Sequence, residues 1–274
     1  MRLHAVDGPK DTRLSVERAY DAIAVDYDAQ VQGDRWMREK LHAHYARVFR
    51  AGQRVLDIGC GTGIDAEFLA RRGVRVLGLD TSGQMLAQLR ARVAREGLGD
   101  RVETRELLIE ELGKLGEGQF DGIISAFASL STLPHLMPFA RDAARLVRPG
   151  GRMIVHMLNR FSLWELLGNV THGNLGAAER VGRDRRRVFS IGGQPVQHSV
   201  YFAGDAYRHY FMAAFALRET YSLGALRPPH TMRRIPHGVV RVLERADLAC
   251  GGWPLVRDAG RFFVLDLERR PTHP

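Results

Sequence analysis

The stretch Val55-Leu-Asp-Ile-Gly-Cys-Gly-Thr-Gly-Ile-Asp65 gathers several chemically useful residues into a short span. Glycines such as Gly59, Gly61 and Gly63 let a chain turn sharply and bring bare backbone against a ligand. Asp57 stands just before them, and a second carboxylate, Asp80, follows 17 residues after Gly63. An acid at the end of the neighbouring strand accepts hydrogen bonds from the hydroxyls of a ribose. Dinucleotide loops have the spacing G-x-G-x-x-G, which brings a pyrophosphate to a helix N-terminus. Here the spacing is G-x-G-x-G, and the adjoining Asp57 disfavours a pyrophosphate but suits an ammonium group. The ligand that matches these charges has a ribose, an adenine and a cationic amino-acid tail.

Strands and helices must hold those residues in place. Residues 54–58 form an apolar run ending in glycines, the pattern of a buried strand. Strands at 74–79, 101–107, 120–125 and 152–158 alternate with helices at 65–72, 82–95 and 135–147. Ser82 is the N-cap of the second of these helices. The alternation predicts an α/β fold, doubly wound, with a mostly parallel sheet covered on both faces. Helices are predicted at 15–29 and 35–49 before the first strand. After residue 159 the rhythm changes. A helix is predicted at 162–167 and a hairpin at 186–191 and 195–203 around Gly192-Gly193. Helices at 206–215 and 239–249 and strands at 218–223 and 261–267 complete the chain.

VLDIGCGTG followed by LGLDTSGQML resembles the first two motifs of the class I S-adenosylmethionine-dependent methyltransferases. FDGIISAFASLSTLPHL and ARLVRPGGRMIVHM resemble their fourth-strand and fifth-strand regions, and AYDAIAVDYD resembles the N-terminal helix that closes over the cofactor. The resemblance covers roughly residues 18–158. It implies a Rossmann-like methyltransferase fold, a seven-stranded sheet with an inserted substrate lid. It divides the chain into N-terminal helices (1–50), a cofactor-binding core (51–159), the lid with its hairpin (160–204) and closing helices and strands (205–274). The implied cofactor is S-adenosyl-L-methionine, with S-adenosyl-L-homocysteine as product.

Carried over residue by residue, the resemblance puts Gly59, Gly61 and Gly63 under the methionine moiety, with Asp57 orienting the loop and the ammonium. Asp80 with Thr81 meets the ribose, and Met85 packs near the adenine. Ser125 and Ala126 lie beside the methionine part, and Tyr20 and Tyr27 reach its carboxylate. The family usually has Gly-Asp at the end of the third strand, where this chain has Leu107-Leu108. Either the backbone around Leu108 and Ile109 meets the adenine, or a bulge brings Glu106 there.

A methyl donor needs mainly an aligned nucleophile in a dry pocket, with a general base for hydroxyl or acidic C–H acceptors. His135 and His156 end up near the ligand-binding edge of the sheet and are the catalytic candidates; His209 is a further histidine to weigh. Trp164, His198 and Tyr201 are the substrate-binding candidates. Phe161, Leu166, Phe189, Val196 and Phe202 extend an apolar lining. After the fourth strand stands Ser125-Ala-Phe-Ala128 rather than an Asn-Pro-Pro-Tyr-like stretch, which argues against methylation of base amines. No Pro-Cys pair and no His-x-x-x-His cluster appears, so neither a cysteine nucleophile nor a metal site is expected. The predicted partner is a small, partly hydrophobic acceptor. Two alternatives stand beside it: RNA methylation through a patch at Arg180–Arg187, and S-adenosylmethionine binding without methyl transfer.

Composition bounds these readings. The chain has 274 residues, 45% hydrophobic and 26% charged, enough apolar surface for one large core. No apolar run of about 18 residues is present, so no membrane span is expected. Residues 1–10 carry no apolar core of a secretory signal, and a cytoplasmic protein, monomer or homodimer, is expected. Cys60 and Cys250 read as buried thiols. The net charge is +9. Residues 1–159 hold 23 basic and 21 acidic residues, whereas residues 160–274 hold 17 arginines and 10 acids. The surplus therefore lies in the C-terminal part, and it argues against a nucleic-acid partner for the core.

Overall fold

Val55, Leu56, Asp57 and Ile58 are all buried, as a strand covered on both faces requires, and they form β1 with Arg54 (Arg54–Ile58). The computed structural model describes residues 9–271 apart from 231, 233 and 234. Most of the stretch read above for a leader, residues 1–8, lies outside them. β1 pairs in parallel with β2 (Arg75–Asp80) on one side and β4 (Phe120–Ser125) on the other. β3 (Val102–Glu106) continues the parallel array beyond β2, and β5 (Val147–Leu158) continues it beyond β4. β8 (Phe215–Leu223) and β9 (Phe262–Arg269) close it, with β9 antiparallel to both β5 and β8. The seven strands run in the order β3-β2-β1-β4-β5-β9-β8, mostly parallel as predicted.

Strand alternation sorts the apolar residues into two cores. Val55, Val76, Ile124 and Ile154 face one side, against Leu41 and Tyr45 of α3 (Arg35–Val48), Leu69 of α4 (Ile64–Arg71) and Leu89 of α5 (Gly83–Arg95). Leu56, Leu77, Ile123 and Met153 face the other, against Phe139 and Leu146 of α6 (Met137–Leu146). Each such aliphatic side chain contributes about 1.5–3 kcal/mol by leaving water. Ser82 caps α5 as predicted, accepting from Met85 N at 3.0 Å.

The N-terminal region forms two helices where one was predicted, α1 (Pro9–Ile23) and a short α2 (Tyr27–Gln30). Both are fastened to the core. Asp21 of α1 accepts from Ser82 Oγ at 2.5 Å and Gln84 N at 3.2 Å, and Asp28 of α2 accepts from Thr62 Oγ1 at 2.6 Å. Between β5 and β8 lie α7 (Leu163–Thr171), α8 (Leu175–Ala178), the hairpin of β6 (Arg186–Ile191) and β7 (Gln194–Ser199), and α9 (Ala203–Ala206). The helix predicted at 206–215 is instead a π turn, Tyr207–Phe211, because Phe215 is drawn into the core as the first residue of β8. α10 (His237–Cys250) precedes β9. Cys60 is buried and Cys250 half-buried, both as free thiols. No helix among the described residues is long and apolar enough to cross a membrane.

Two glycines probe this packing in opposite directions. A Cβ added at Gly122 of β4 would lie 2.6 Å from the Arg152 carbonyl oxygen and 2.3 Å from the Phe49 ring. Gly122→Ala is expected to cost about 1–3 kcal/mol in urea unfolding. Gly168, inside α7, has nothing within 4 Å of such a Cβ. Gly168→Ala is expected to stabilise by about 0.4–1 kcal/mol. Equal effects at the two sites would contradict the packing described.

Candidate functional site

The C-terminal ends of β1, β2 and β4 open on a cavity of about 420 Å³, at the edge where doubly wound sheets bind ligands. The loop after β1 forms one wall. Gly59 and Gly61 have φ of +66° and +53°, a left-handed conformation that glycine adopts without strain. A Cβ at Gly59 would meet Ser129 Oγ at 2.3 Å, whereas one at Gly61 would stand 3.9 Å from Tyr27 and 4.0 Å from Met85, both cavity residues. Asp80, at the end of β2, braces the loop. Its Oδ2 accepts from Gly61 N at 2.8 Å and its Oδ1 from Ser82 N at 2.9 Å. Burial pushes its carboxyl up despite those bonds.

Arg38 of α3 and Asp65 of α4 supply a buried ion pair to the same cavity. His42 donates to the other Asp65 oxygen at 2.7 Å and stacks on Phe68. Burial would raise Asp65, but the Arg38 charge and the His42 hydrogen bond outweigh it and bring its carboxyl down to about 2. The Arg38 guanidinium lies 4.3 Å over the ring of Phe127. Phe127 and Ala128 have φ of +47° and +66°, a strained pair for residues with side chains. His156 of β5 pins them: Phe127 N donates to its Nδ1 and Ala128 N to its carbonyl, each at 3.0 Å. Burial, with the Arg38 and Arg261 charges, pushes this imidazole down to about 3, so it is neutral and its proton sits on Nε2.

The remaining walls come from three segments. Leu107–Glu110 follow β3, Leu133–His135 follow the fourth-strand loop, and Arg186, Gln197 and Ser199 project from the hairpin. Ser199 Oγ donates to the Leu133 carbonyl at 2.9 Å, tying hairpin to loop.

A family model described as a methyltransferase domain matches residues 55–151. This stretch, from β1 into β5, is a methyltransferase domain. The ubiquinone biosynthesis O-methyltransferase of Acinetobacter baumannii (strain AYE) is 36% identical over 110 residues, 40% of this chain and 46% of that relative. The match thus spans less than half the length of that curated relative. Among solved structures, the (4+2)-cyclase SpnF superposes with a TM-score of 0.60 at 16% identity, covering 98% of this chain and 100% of that one. The Burkholderia thailandensis 1,6-didemethyltoxoflavin-N1-methyltransferase, solved with 1,6-didemethyltoxoflavin and S-adenosylhomocysteine, superposes with a TM-score of 0.58 at 16% identity, covering 98% and 94%. At these identities the structures share the fold.

The cavity brings together Tyr20, Tyr27, Gly59, Gly61, Asp80, Thr81, Met85, Leu108 and Ala126 of the expected cofactor set, and His135. Asp57, Gly63 and Ser125 lie behind the lining. Asp57 is buried and its Oδ2 has no hydrogen-bond partner among the described residues; burial and the nearby Asp65 charge push its carboxyl well up. Gly63 is backed by Leu89, and Ser125 Oγ donates to the Ile58 carbonyl at 3.1 Å. The Leu107–Leu108 question has a geometric answer. β3 pairs Glu106 with Asp80 without a bulge, and the chain after it, not Glu106, reaches the cavity.

Four expected residues are placed elsewhere. His156 is not part of the lining, because its Nδ1 is engaged by Phe127 N and its ring sits between Phe127 and Phe262. His198 and Tyr201 were read as facing the pocket. Strand parity turns His198 to the opposite face, where its ring meets Phe189, while its neighbours Gln197 and Ser199 line the cavity. Tyr201 packs on Tyr210, and Trp164 lies on α7, joined to the far face of the hairpin through Glu165 and Arg187. His209 bonds the Asp205 carbonyl. Arg38 and Asp65 were missed because their meeting joins α3 to α4, and no local motif announces it.

The arginine patch is divided. Arg187 pairs with Glu165, Arg180 lies 3.8 Å from Asp184, and Arg186 enters the cavity. His44, Glu219 and Asp266 bring ligand-type atoms within 4.8 Å of one another, but Arg152 already engages both Asp266 oxygens and His44 bonds Asp266 at 2.6 Å. None of the three lines the cavity.

Two expectations follow for this site. His156→Leu leaves the half-buried Phe127 N–H without its acceptor and is expected to cost about 1 kcal/mol or more. His156→Asn, whose Oδ1 can stand where Nδ1 stands, recovers part of that loss in thermal unfolding. The Asp65 carboxyl titrates near 2 against an ordinary 3.8, so its ion pair contributes fully above that ordinary value and is lost as the pH falls toward 2. Arg38→Met is expected to raise the midpoint of acid unfolding by about one pH unit. A midpoint unchanged by circular dichroism would refute the role of the pair.

Proposed function

We propose that this protein transfers a methyl group from S-adenosyl-L-methionine to a small, partly hydrophobic acceptor. The observation that carries the reading is the single cavity shared by the glycine loop, Asp80, and the Arg38–Asp65 pair. Its donor set suits the cofactor part by part. The Asp80 carboxylate, with about four lone-pair sites, can still accept from a ribose hydroxyl beside its backbone N–H donors. The bare Gly61 peptide leaves open the space that a Cβ would fill between Tyr27 and Met85. Met85 and Leu108 offer apolar surfaces for an adenine. Arg38, with its Phe127 face, is a cation for the amino-acid carboxylate, and Asp65 is an anion for the ammonium.

When bound, S-adenosylmethionine supplies an electrophilic methyl carbon on a positive sulfur. The chain's own contribution is alignment and exclusion of water. Tyr20 and Tyr27, held by the α1 and α2 contacts to α5 and Thr62, close one side. In this reading residues 160–204 act as a lid, and the hairpin closes the other side through Gln197 and Ser199. His135, exposed at the mouth, is the imidazole available to take a proton from a hydroxyl acceptor. The division of the arginine patch among separate partners speaks against the RNA alternative.

Incubation with S-adenosylmethionine carrying a labelled methyl group and a fractionated small-molecule extract is expected to yield labelled low-mass product and S-adenosylhomocysteine. Tight cofactor binding with no label transferred to any fraction would favour binding without methyl transfer. Asp80→Ala is expected to weaken S-adenosylhomocysteine binding by about tenfold to a hundredfold in calorimetry, since charge-assisted hydrogen bonds to the ribose are lost. Unchanged affinity would remove the cofactor assignment.

A further inference from the structure

The hairpin carries a cation whose position needs a reason. β6 and β7 pair Arg186 with Ser199 and Val188 with Gln197. Alternation places these four residues on one face, and Ser199, Gln197 and Arg186 all line the cavity. The opposite face is spoken for: Arg187 engages Glu165 and the Arg160 carbonyl, and His198 packs on Phe189. Parity therefore places Arg186 on the cavity side of the hairpin, where it is exposed at the rim. Ser199, its cross-strand partner, is locked to the Leu133 carbonyl, which fixes this face above the loop that carries His135.

The charges inside the cavity isolate Arg186. Asp65 is already matched by Arg38 and His42, Asp80 by the backbone groups of the loop, and Glu110, the third lining carboxylate, is not without a partner either. No ion pair or hydrogen bond to the Arg186 guanidinium is present among the described residues. Around it the wall is largely apolar, with Leu133 and Pro134 on the neighbouring loop and Leu107, Leu108 and Ile109 beyond, ending at Glu110. A cation at the mouth of an apolar space matches a ligand with an apolar body and one anionic group.

We propose that Arg186 recognises an acidic group on the acceptor, and that the acceptor class is an apolar or aromatic carboxylate. The carboxylate meets Arg186 at the hairpin, which orients the body of the molecule along the Leu107–Ile109 and Leu133–Pro134 walls toward the glycine loop. Arg186 is an acceptor-binding residue and takes no part in methyl transfer itself. The proposal rests on the reading of this cavity as a site for S-adenosylmethionine and an acceptor.

The test uses the full chain saturated with S-adenosylhomocysteine, titrated with 2-naphthoate and with 2-naphthol, which have the same ring system and differ in charge. Naphthoate is expected to bind at least about tenfold more tightly than naphthol. Arg186→Gln is expected to abolish that preference while leaving S-adenosylhomocysteine affinity and naphthol binding as they were, and Arg186→Lys to restore part of it. Arg183→Gln, which removes an exposed arginine outside the lining, should leave the preference intact. Equal binding of the two probes, binding of neither, a preference that survives Arg186→Gln, or an equal loss in Arg183→Gln would each overturn the proposal. Failure of S-adenosylhomocysteine to bind would instead overturn the reading of the cavity; naphthoate selectivity lost while that ligand still binds overturns only the role of Arg186.

Discussion

The carboxylate of Asp80 holds two backbone N–H groups from different segments, Gly61 in the loop after β1 and Ser82 at the start of α5. That double grip ties the end of one strand to the turn after its neighbour. The loop needs it, because Gly59 and Gly61 are left-handed and have no side chains to brace it. With the loop braced, Met85 and Tyr27 converge on Gly61, and Ser82 is placed to cap α5 and to receive Asp21 from α1. A single acid thus organises the sheet edge, the cap of a helix and the docking of the N-terminal segment.

Charge within the cavity is managed by pairing rather than by exposure. Arg38 and Asp65 are both buried, a costly placement for either alone. Each offsets the other, and His42 satisfies the second Asp65 oxygen. His156 follows a different rule. It is too deeply buried to carry charge, so it serves as a neutral acceptor for a strained turn. The turn in turn sets the Phe127 ring under Arg38. The imidazole that looked most like a catalytic base is a structural acceptor, and the exposed His135 is left at the cavity.

The hairpin shows how a one-residue difference in parity redistributes roles. Gln197 and Ser199 face the cavity, while His198 between them faces away. The same parity puts Arg186 on the cavity side and Arg187 toward Glu165. A run of arginines that reads along the chain as one basic patch is therefore three separate environments in space.

Much of the architecture was legible along the chain. The alternating strands and helices, the glycine loop, the spaced acid and the Ser82 cap depend on local conformational preference and burial period, which the order of residues encodes directly. All seven sheet strands were placed within a few residues of their positions, and most of the cofactor set converges on the cavity. The misplacements fall where side-chain direction depends on register or on distant partners. His156 was drawn away by the turn at Phe127, His198 by hairpin parity, and the helix at 206–215 by the pairing of β8 with β9. Arg38 and Asp65 lie 27 residues apart on two helices, so only tertiary packing brings them together. The amino-acid order alone determined the fold, the loop and its acid, because these follow from short-range chemistry. Which side chains share the cavity was decided by strand register and helix docking, long-range constraints that no local spacing records.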